Sequence, residues 1–232
     1  ALRDILKKEH NIPIFLNADH SKSVKTAREA LDAGFDSAHI DLSALPFEEN
    51  ISGTKRVVEH ARTTTYNLQP TTLSIEGELG YLKGESKIQK EKISVSPEDY
   101  TKLEEAKRFV EETGVNRLAI VVGNIHGISL DEPALDIERI KEIRSAVSEE
   151  VALVLHAGSG IPDEQIKEAI KAGIANIHIN TDIRIAYVEG LKKGLEEKPE
   201  ETAVYKIDQQ AINGLKKVVI EEIKLFGATG KV

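Results

Sequence analysis

Three histidines in this sequence fall at the same kind of place. His20 follows IPIFLNAD, His126 follows RLAIVVGN with one residue between, and His156 ends VALVL. Each closes an apolar run beside a small or turn-forming residue. A lone histidine in such a position is more often a hydrogen-bonded core residue than a ligand. Three of them, with carboxylates nearby and no cysteine in the chain, suit a His-rich zinc-type site. Imidazole and carboxylate both bind Zn2+, and an open coordination position then takes water or substrate. His10 and His60 lie on helical or loop segments and are expected at the surface. Glu76 and Glu78 are two apart on one strand, so they point to the same side. Inside a fold such a pair is costly unless a cation or a metal faces it; the alternative is a strand face turned to solvent.

The glycine-rich stretches GNIHG (123–127) and HAGSG (156–160), with NTD (180–182), offer backbone N–H groups after three consecutive apolar runs. Together with Ser159 and Thr181 they could cradle a phosphate. A Schiff-base lysine is not available on any of the strand segments, so activation of a carbonyl would fall to a metal.

The elements that must position these residues alternate in kind. β-rich runs are read at 12–19, 36–43, 72–79, 117–124, 151–158 and 175–182. Helical patterns are read at about 22–33, 47–62, 100–113, 136–147, 162–172, 182–196 and 205–226. Nearly continuous apolar strands separated by helices predict a parallel sheet covered by helices. The passages DAGFDSAHI, ETGVNRLAI and KAGIANIHI repeat one junction, with Gly34, Gly114 and Gly173 ending a helix in the left-handed conformation. Polar residues gather at the C-terminal ends of the runs: Asp19 and His20, Asp41 and Ser43, Glu76 and Glu78, Asn124 and His126, His156, then Asn180 and Asp182. In a parallel barrel that rim is where sites are built.

A chain of 232 residues suits one barrel domain spanning 1–232, with C-terminal helices at about 182–226. The net charge of −8 has no basic stripe within it, which argues against nucleic acid and anionic membrane as partners. No apolar run approaches the roughly 20 residues of a membrane-spanning helix. The opening stretch ALRDILKKEH reads as a charged helix, not an apolar leader. The lack of cysteine fits a reducing compartment, and the cytoplasm is the expected location.

The ordered set NADH, HIDLSALPFEENI, IEGELG, GNIHG, LHAGSG and INTD resembles the class II, metal-dependent fructose-bisphosphate aldolases and their tagatose-bisphosphate relatives, over nearly the whole chain. The resemblance implies a (β/α)8 TIM barrel, of which this sequence shows the last six strands. It also implies a homodimer or homotetramer. By position, His20, His126 and His156 match the zinc ligands, and Glu78 the exchangeable ligand. Asp19 matches the acid that protonates the aldehyde carbonyl in condensation. Gly127, Gly158, Ser159, Asn180 and Thr181 match phosphate-binding positions. The carbonyls of Ile125, Gly127 and Ala157 match those that bind a monovalent cation in some members. The implied reaction is reversible cleavage of a ketose 1,6-bisphosphate, fructose 1,6-bisphosphate first, to dihydroxyacetone phosphate and glyceraldehyde 3-phosphate through a metal-stabilised enediolate.

Three departures stand out. The loop YLKGESKIQ has Ser86 where the family has its proton-abstracting Glu, so Glu85 is expected to take that task after a one-residue shift. His178 stands where many relatives have Asn near the substrate. The first two strands of the family are absent, and the chain has no methionine. Rival readings are a tagatose 1,6-bisphosphate aldolase, a metal-dependent barrel hydrolase, and a sugar-phosphate binder that has lost turnover. The biological chain is expected to be longer than this sequence, which an intact mass above 25.5 kDa would bear out and a mass equal to it would overturn.

Overall fold

The computed structural model describes residues 2–64, 73–128 and 134–231, and of Ser86 the backbone alone. The strands are β1 (Asn17–Ser21), β2 (Ser37–Ile40), β3 (Ser74–Leu79), β4 (Gly84–Ile88), β5 (Arg117–Ile120), β6 (His126–Ile128), β7 (Ala152–Leu155) and β8 (Ile174–Ile177). The helices are α1 (Leu2–His10), α2 (Val24–Asp32), α3 (Phe47–Thr63), α4 (Leu103–Thr113), α5 (Ile137–Ala146), α6 (Asp163–Ala172), α7 (Thr181–Glu197), α8 (Val204–Ile207) and α9 (Gln209–Leu225). Six strands form one curled parallel sheet in the order β1-β2-β3-β5-β7-β8, and β4 and β6 pair separately. The main sheet is open, with β1 and β8 at its edges. Among the described residues no helix is long and apolar enough to cross a membrane.

All six expected strands are present, each shorter than its apolar run. The first is displaced: β1 covers 17–21, not 12–19. Pro13 has no N–H for a ladder, and Phe15 and Leu16 are exposed. β5 stops at Ile120 because the Asn124 side chain turns back on it. Its carbonyl accepts the Val122 N–H at 2.8 Å, and its amide donates to the Ile120 and His156 carbonyls at 3.3 and 3.1 Å. The β4–β6 ribbon was not expected, since its strands come from two connecting loops. The three repeated junction glycines all have positive φ, 91° at Gly34, 70° at Gly114 and 120° at Gly173.

Alternation along the strands sorts the two faces of the sheet. Ala38 and Ile40, Ile75 and Leu79, Leu118 and Ile120, and Leu153 and Leu155 join the apolar layer beneath the helices. The intervening residues carry His39, Glu76, Glu78 and Arg117 to the other face. Gly77 points toward the helices between the two glutamates, and a Cβ there would lie 2.5 Å from the Phe109 ring. The glycine therefore lets α4 seat its largest side chain directly on β3, and Phe109 is fully buried. Phe109→Ala is expected to cost about 3–5 kcal/mol by the burial and cavity terms for a core aromatic. Urea unfolding measures it, and a loss below about 1 kcal/mol would remove Phe109 as the keystone of this layer.

Candidate metal centre

Asp19 and His20 are neighbours in sequence, yet both face the concave side of the sheet. In a regular strand adjacent side chains point apart. The β1–β2 register pairs Ala18 with Ala38 and Ser21 with Ile40, so β1 carries one extra residue. His20 takes φ +45° at this bulge, which re-aims its side chain. Ala157, just after His156, is likewise left-handed at φ +57°. Non-glycine residues of this conformation are uncommon and collect at functional sites.

The imidazoles form a packed cluster. Ring centroids lie 4.8 Å apart for His20 and His156, 5.2 Å for His20 and His126, and 4.0 Å for His156 and His178. His39 lies 4.6 Å from both His20 and His156. Carboxylates stand behind these rings. Asp41 Oδ2 is 2.7 Å from His20 Nδ1, and its Oδ1 accepts from the Ser43 hydroxyl at 2.7 Å. Lys22 closes on the same carboxylate. Glu76 Oε1 is 2.6 Å from His156 Nε2, and Glu76 Oε2 pairs with Arg117 at 2.6 Å. Asp19 Oδ1 lies 3.4 Å from both His39 and His178. Glu76 and Glu78 are buried, so the solvent-facing alternative for this strand is excluded.

Protonation follows from these contacts. Burial opposes the charge on Glu76, but the hydrogen bond from His156 and the neighbouring imidazoles hold its carboxyl down to about 2. Burial opposes charge at Asp41 also; His20, Lys22 and Ser43 outweigh it and keep the group below the usual carboxylate range. Asp19 is held low against burial by His178 and His39. For His39 burial is overcome by Asp19 and Glu78, which push the imidazole up to about 10. His126 is pushed down to about 4 by burial and by His20. Burial also lowers His156.

These donors fit a divalent cation. His39 Nε2 and Glu78 Oε2 are buried without a hydrogen-bond partner, 3.2 Å apart. Asp19, His20, His39 and His156 form one group of donors within 4.8 Å of one another, and His20, His39, Asp41 and Glu78 form a second. Glu76, His156 and His178 make a third. Neutral imidazole and carboxylate are the donor types of zinc and similar ions.

The remaining expected residues lie around this centre. A cavity of about 340 Å3 is walled by His20, Glu78, His126 and, from β4, Glu85. Glu85 is exposed, and its hydrogen bond from Lys87 at 2.5 Å keeps its carboxyl below the ordinary range. The Ser86 side chain lies outside the described residues. Gly127 sits under β4, where a Cβ would collide with the carbonyls of Lys87 and Glu85. Gln89 ties the two loops together, donating to the carbonyls of Glu85 and His126 at 2.7 Å each. Gly158, Ser159, Asn180 and Thr181 meet at the start of α7. The Gly158 N–H donates to the His178 carbonyl at 3.0 Å, and the Ser159 hydroxyl accepts from the N–H groups of Asn180 and Asp182 at 3.4 and 3.3 Å. A second cavity of about 820 Å3 is walled by Asp19, Arg117, His178 and Asn180. His60 is not fully solvated as expected; it hydrogen-bonds Asp32 at 2.7 Å. His39 and Arg117 were not singled out in the sequence, although alternation from Asp41 and Glu76 pointed to the first.

The model of the family described as fructose-bisphosphate aldolase class-II matches residues 1–231. The chain belongs to this family. Class II aldolases are metal-dependent enzymes acting on small sugar phosphates, which agrees with the donor set. The sulfofructosephosphate aldolase of Alkalicoccus urumqiensis is 35% identical over 100% of this chain and 77% of its own length. YdjI of Escherichia coli K12 is 34% identical over 97% of this chain and 75% of its own. The crystal structure of the YdjI aldolase superposes with a TM-score of 0.78 at 33% identity, over 98% of this chain and 74% of that one. Fructose-bisphosphate aldolase from Campylobacter jejuni, at 19% identity and TM-score 0.72 over 96% and 73% of the two chains, shares the fold.

The depressed imidazoles predict how the metal-free protein responds to acid. Between pH 6.5 and about 4 the unfolded chain takes up a proton at His126 that the folded chain refuses. Stability therefore falls as pH drops through that window. Urea titrations in chelator should show the fall, and His126→Asn should make it shallower. An unchanged slope in the variant would assign the effect to other groups.

Proposed function

We propose that the protein is a zinc-dependent aldolase that reversibly cleaves fructose 1,6-bisphosphate to dihydroxyacetone phosphate and glyceraldehyde 3-phosphate. The observation that carries this reading is the meeting of His20, His126, His156 and Glu78 at one rim, beside the start of a long helix. In it, His20, His126 and His156 hold the ion and Glu78 is an exchangeable ligand. When bound, zinc supplies Lewis acidity at the ketose carbonyl. Asp41 behind His20 and Glu76 behind His156 fix which ring nitrogen faces inward, an arrangement that raises ligand basicity.

The chain's own groups carry the rest. Gly127, Gly158, Ser159, Asn180 and Thr181 bind a phosphate, favoured by the positive end of the α7 dipole, while His178 contacts the ketose. In cleavage Asp19 takes the proton from the C4 hydroxyl as the C3–C4 bond breaks, and Glu85 returns a proton to C3. Condensation reverses both transfers. In cleavage Asp19 starts ionised and accepts, while the exposed Glu85 first takes up a proton from solvent and then gives it to C3. In condensation Glu85 starts ionised and Asp19 protonated. Carbonyls of Ile125, Gly127 and Ala157 belong to the reading as a monovalent-cation position. So do a single domain over residues 1–232 that carries the last six strands of a (β/α)8 barrel, and a homodimer or homotetramer. The latter is supported by the exposed Val188, Leu195, Ile212 and Ile220 on α7 and α9.

A second substrate, sulfofructose phosphate, is favoured by the 35% identity to the enzyme of that name. The two substrates share a phosphorylated ketose half and differ in the anion at the far end. Turnover of both, and of tagatose 1,6-bisphosphate, should be measured with zinc-loaded, chelated and zinc-restored protein. The expected result is activity lost to the chelator and regained with zinc. Glu85→Gln should lower kcat by about 10²–10⁴-fold with little change in KM, the usual weight of a general base. Turnover indifferent to the chelator, or none with any of the three ketoses, would overturn the reading.

A further inference from the structure

β4 and β6 pair at Gly84 with His126 and at Ile88 with Ile128, so the ladder advances four residues on one strand and two on the other. The surplus makes a bulge, and Glu85 lies in it. Backbone bonds close the two ends, from the His126 N–H to the Lys83 carbonyl and from the Gln89 N–H to the Ile128 carbonyl, each 2.9 Å. Between them stands the Gln89 side chain. Its amide nitrogen carries two hydrogens, and the carbonyls of Glu85 and His126 accept from it at 2.7 Å each. A carbonyl only accepts, so these two contacts identify the atom facing both as the nitrogen. Gln89 is buried, and Gly127, at φ +82°, leaves it room: a Cβ there would lie 2.9 Å from Gln89 Nε2. The Glu85 carboxylate has no comparable anchor. It is exposed and pairs with Lys87, itself exposed. Its place over the cavity shared with His20, Glu78 and His126 therefore follows from where its backbone is held.

We infer that Gln89 is a positioning residue for the proton transfer at C3, clasping the Glu85 backbone to the segment that carries His126. The inference rests on the assignment of Glu85 in the proposed reaction. Gln89 acts through the Glu85 backbone and not on the substrate. One planar amide spans two carbonyls that belong to loops far apart in the chain, and so sets the separation between them. Both bonds are buried, where a lost donor leaves a carbonyl unsatisfied at real cost, so the loop is kept at one distance from the ligand segment. Proton transfer needs the carboxylate within hydrogen-bond reach of the reacting carbon's proton. A displacement of about 1 Å is enough to cost about 10²-fold in rate. Without the clasp Glu85 is chemically intact and out of place.

The test reads the half-reaction that Glu85 serves. In D2O the zinc-loaded protein should exchange one hydrogen on the hydroxymethyl carbon of dihydroxyacetone phosphate for deuterium. The carboxylate takes the proton, trades it with solvent and returns a deuteron. No aldehyde takes part, so neither Asp19 nor the identity of the ketose enters. Proton NMR measures the rate for wild type, Gln89→Leu, Glu85→Gln and the double variant. Gln89→Leu is expected to slow exchange by about 10²-fold, with KM and zinc stoichiometry unchanged. In the Glu85→Gln background it is expected to add nothing, because residues acting through one group are not additive. Gln89→Asn keeps the amide but is too short to span both carbonyls, and it carries the same test if Gln89→Leu does not fold. In the wild-type chain both side-chain amide hydrogens of Gln89 should be protected from solvent exchange. Equal losses in the two backgrounds, loss of zinc with the Gln89 change, or unprotected amide hydrogens would overturn the inference and leave the aldolase reading standing. Exchange undiminished by Glu85→Gln would overturn the assignment of Glu85 and the inference with it. Wild-type protein that neither exchanges dihydroxyacetone phosphate nor turns over any of the three ketoses would overturn the aldolase reading as well.

Discussion

Glu76 is fully buried, ionised, and held between Arg117 from β5 and His156 from the end of β7, each at 2.6 Å. Removing such a charge from water costs several kcal/mol, and the cost is offset only where partners stand at fixed positions. The sheet provides them by register, since β3 pairs with β5 so that Glu76 lies opposite Arg117. Side chains alternate along a strand, so aiming Glu76 inward also aims Ile75, Gly77 and Leu79 at the helices. A slip of one residue would drive both glutamates into the layer around Phe109 and bare the apolar set. The polar face and the hydrophobic core are two outcomes of one choice of register.

That dependence explains what could be read from the sequence. Strand–helix alternation, the junction glycines and the shared direction of Glu76 and Glu78 are local patterns of period two or 3.6, and the structure follows them. His39 obeys the same rule. It is separated from Asp41 by one apolar residue, and Ala38 and Ile40 flank it, so its direction was legible from HIDLS. What the pattern could not supply was depth, because that depends on which strands lie on either side. The bulge at Asp19 and His20 had no signal at all: NADH contains no glycine, and the extra residue shows only against β2. The β4–β6 ribbon escaped for a related reason. Its two strands are loop segments brought together from distant parts of the chain, and the register between them is set by Gly84 and His126 meeting in space. Gly127 stood out as a phosphate contact, but its observed surroundings give it a packing reason, since the backbone of β4 passes where a side chain would be.

The family resemblance named the histidines without saying which nitrogen each would offer. Hydrogen bonding supplies that answer. Asp41 engages His20 at Nδ1 and Glu76 engages His156 at Nε2, so the two rings turn opposite nitrogens toward the middle. Backbone strain at His20 and Ala157 is the conformational cost of this convergence, offset by the packing of the strands on either side.

The charge on the concave face points the same way. Among the described residues four carboxylates, Asp19, Asp41, Glu76 and Glu78, converge on a space served by two permanent cations, Arg117 and Lys22, and Lys22 reaches in from solvent. His39 stands among these carboxylates, where Asp19 at Nδ1 and Glu78 at Nε2 outweigh its burial and favour the charged ring. A divalent cation held by these donors would add positive charge to the same space, and its ligands must be deprotonated to bind it. That excess of carboxylate charge is a physical reason for a buried histidine to occupy the floor of the site, where an apolar residue would leave the buried Glu78 carboxylate with His20, 4.0 Å away, as its neighbouring imidazole.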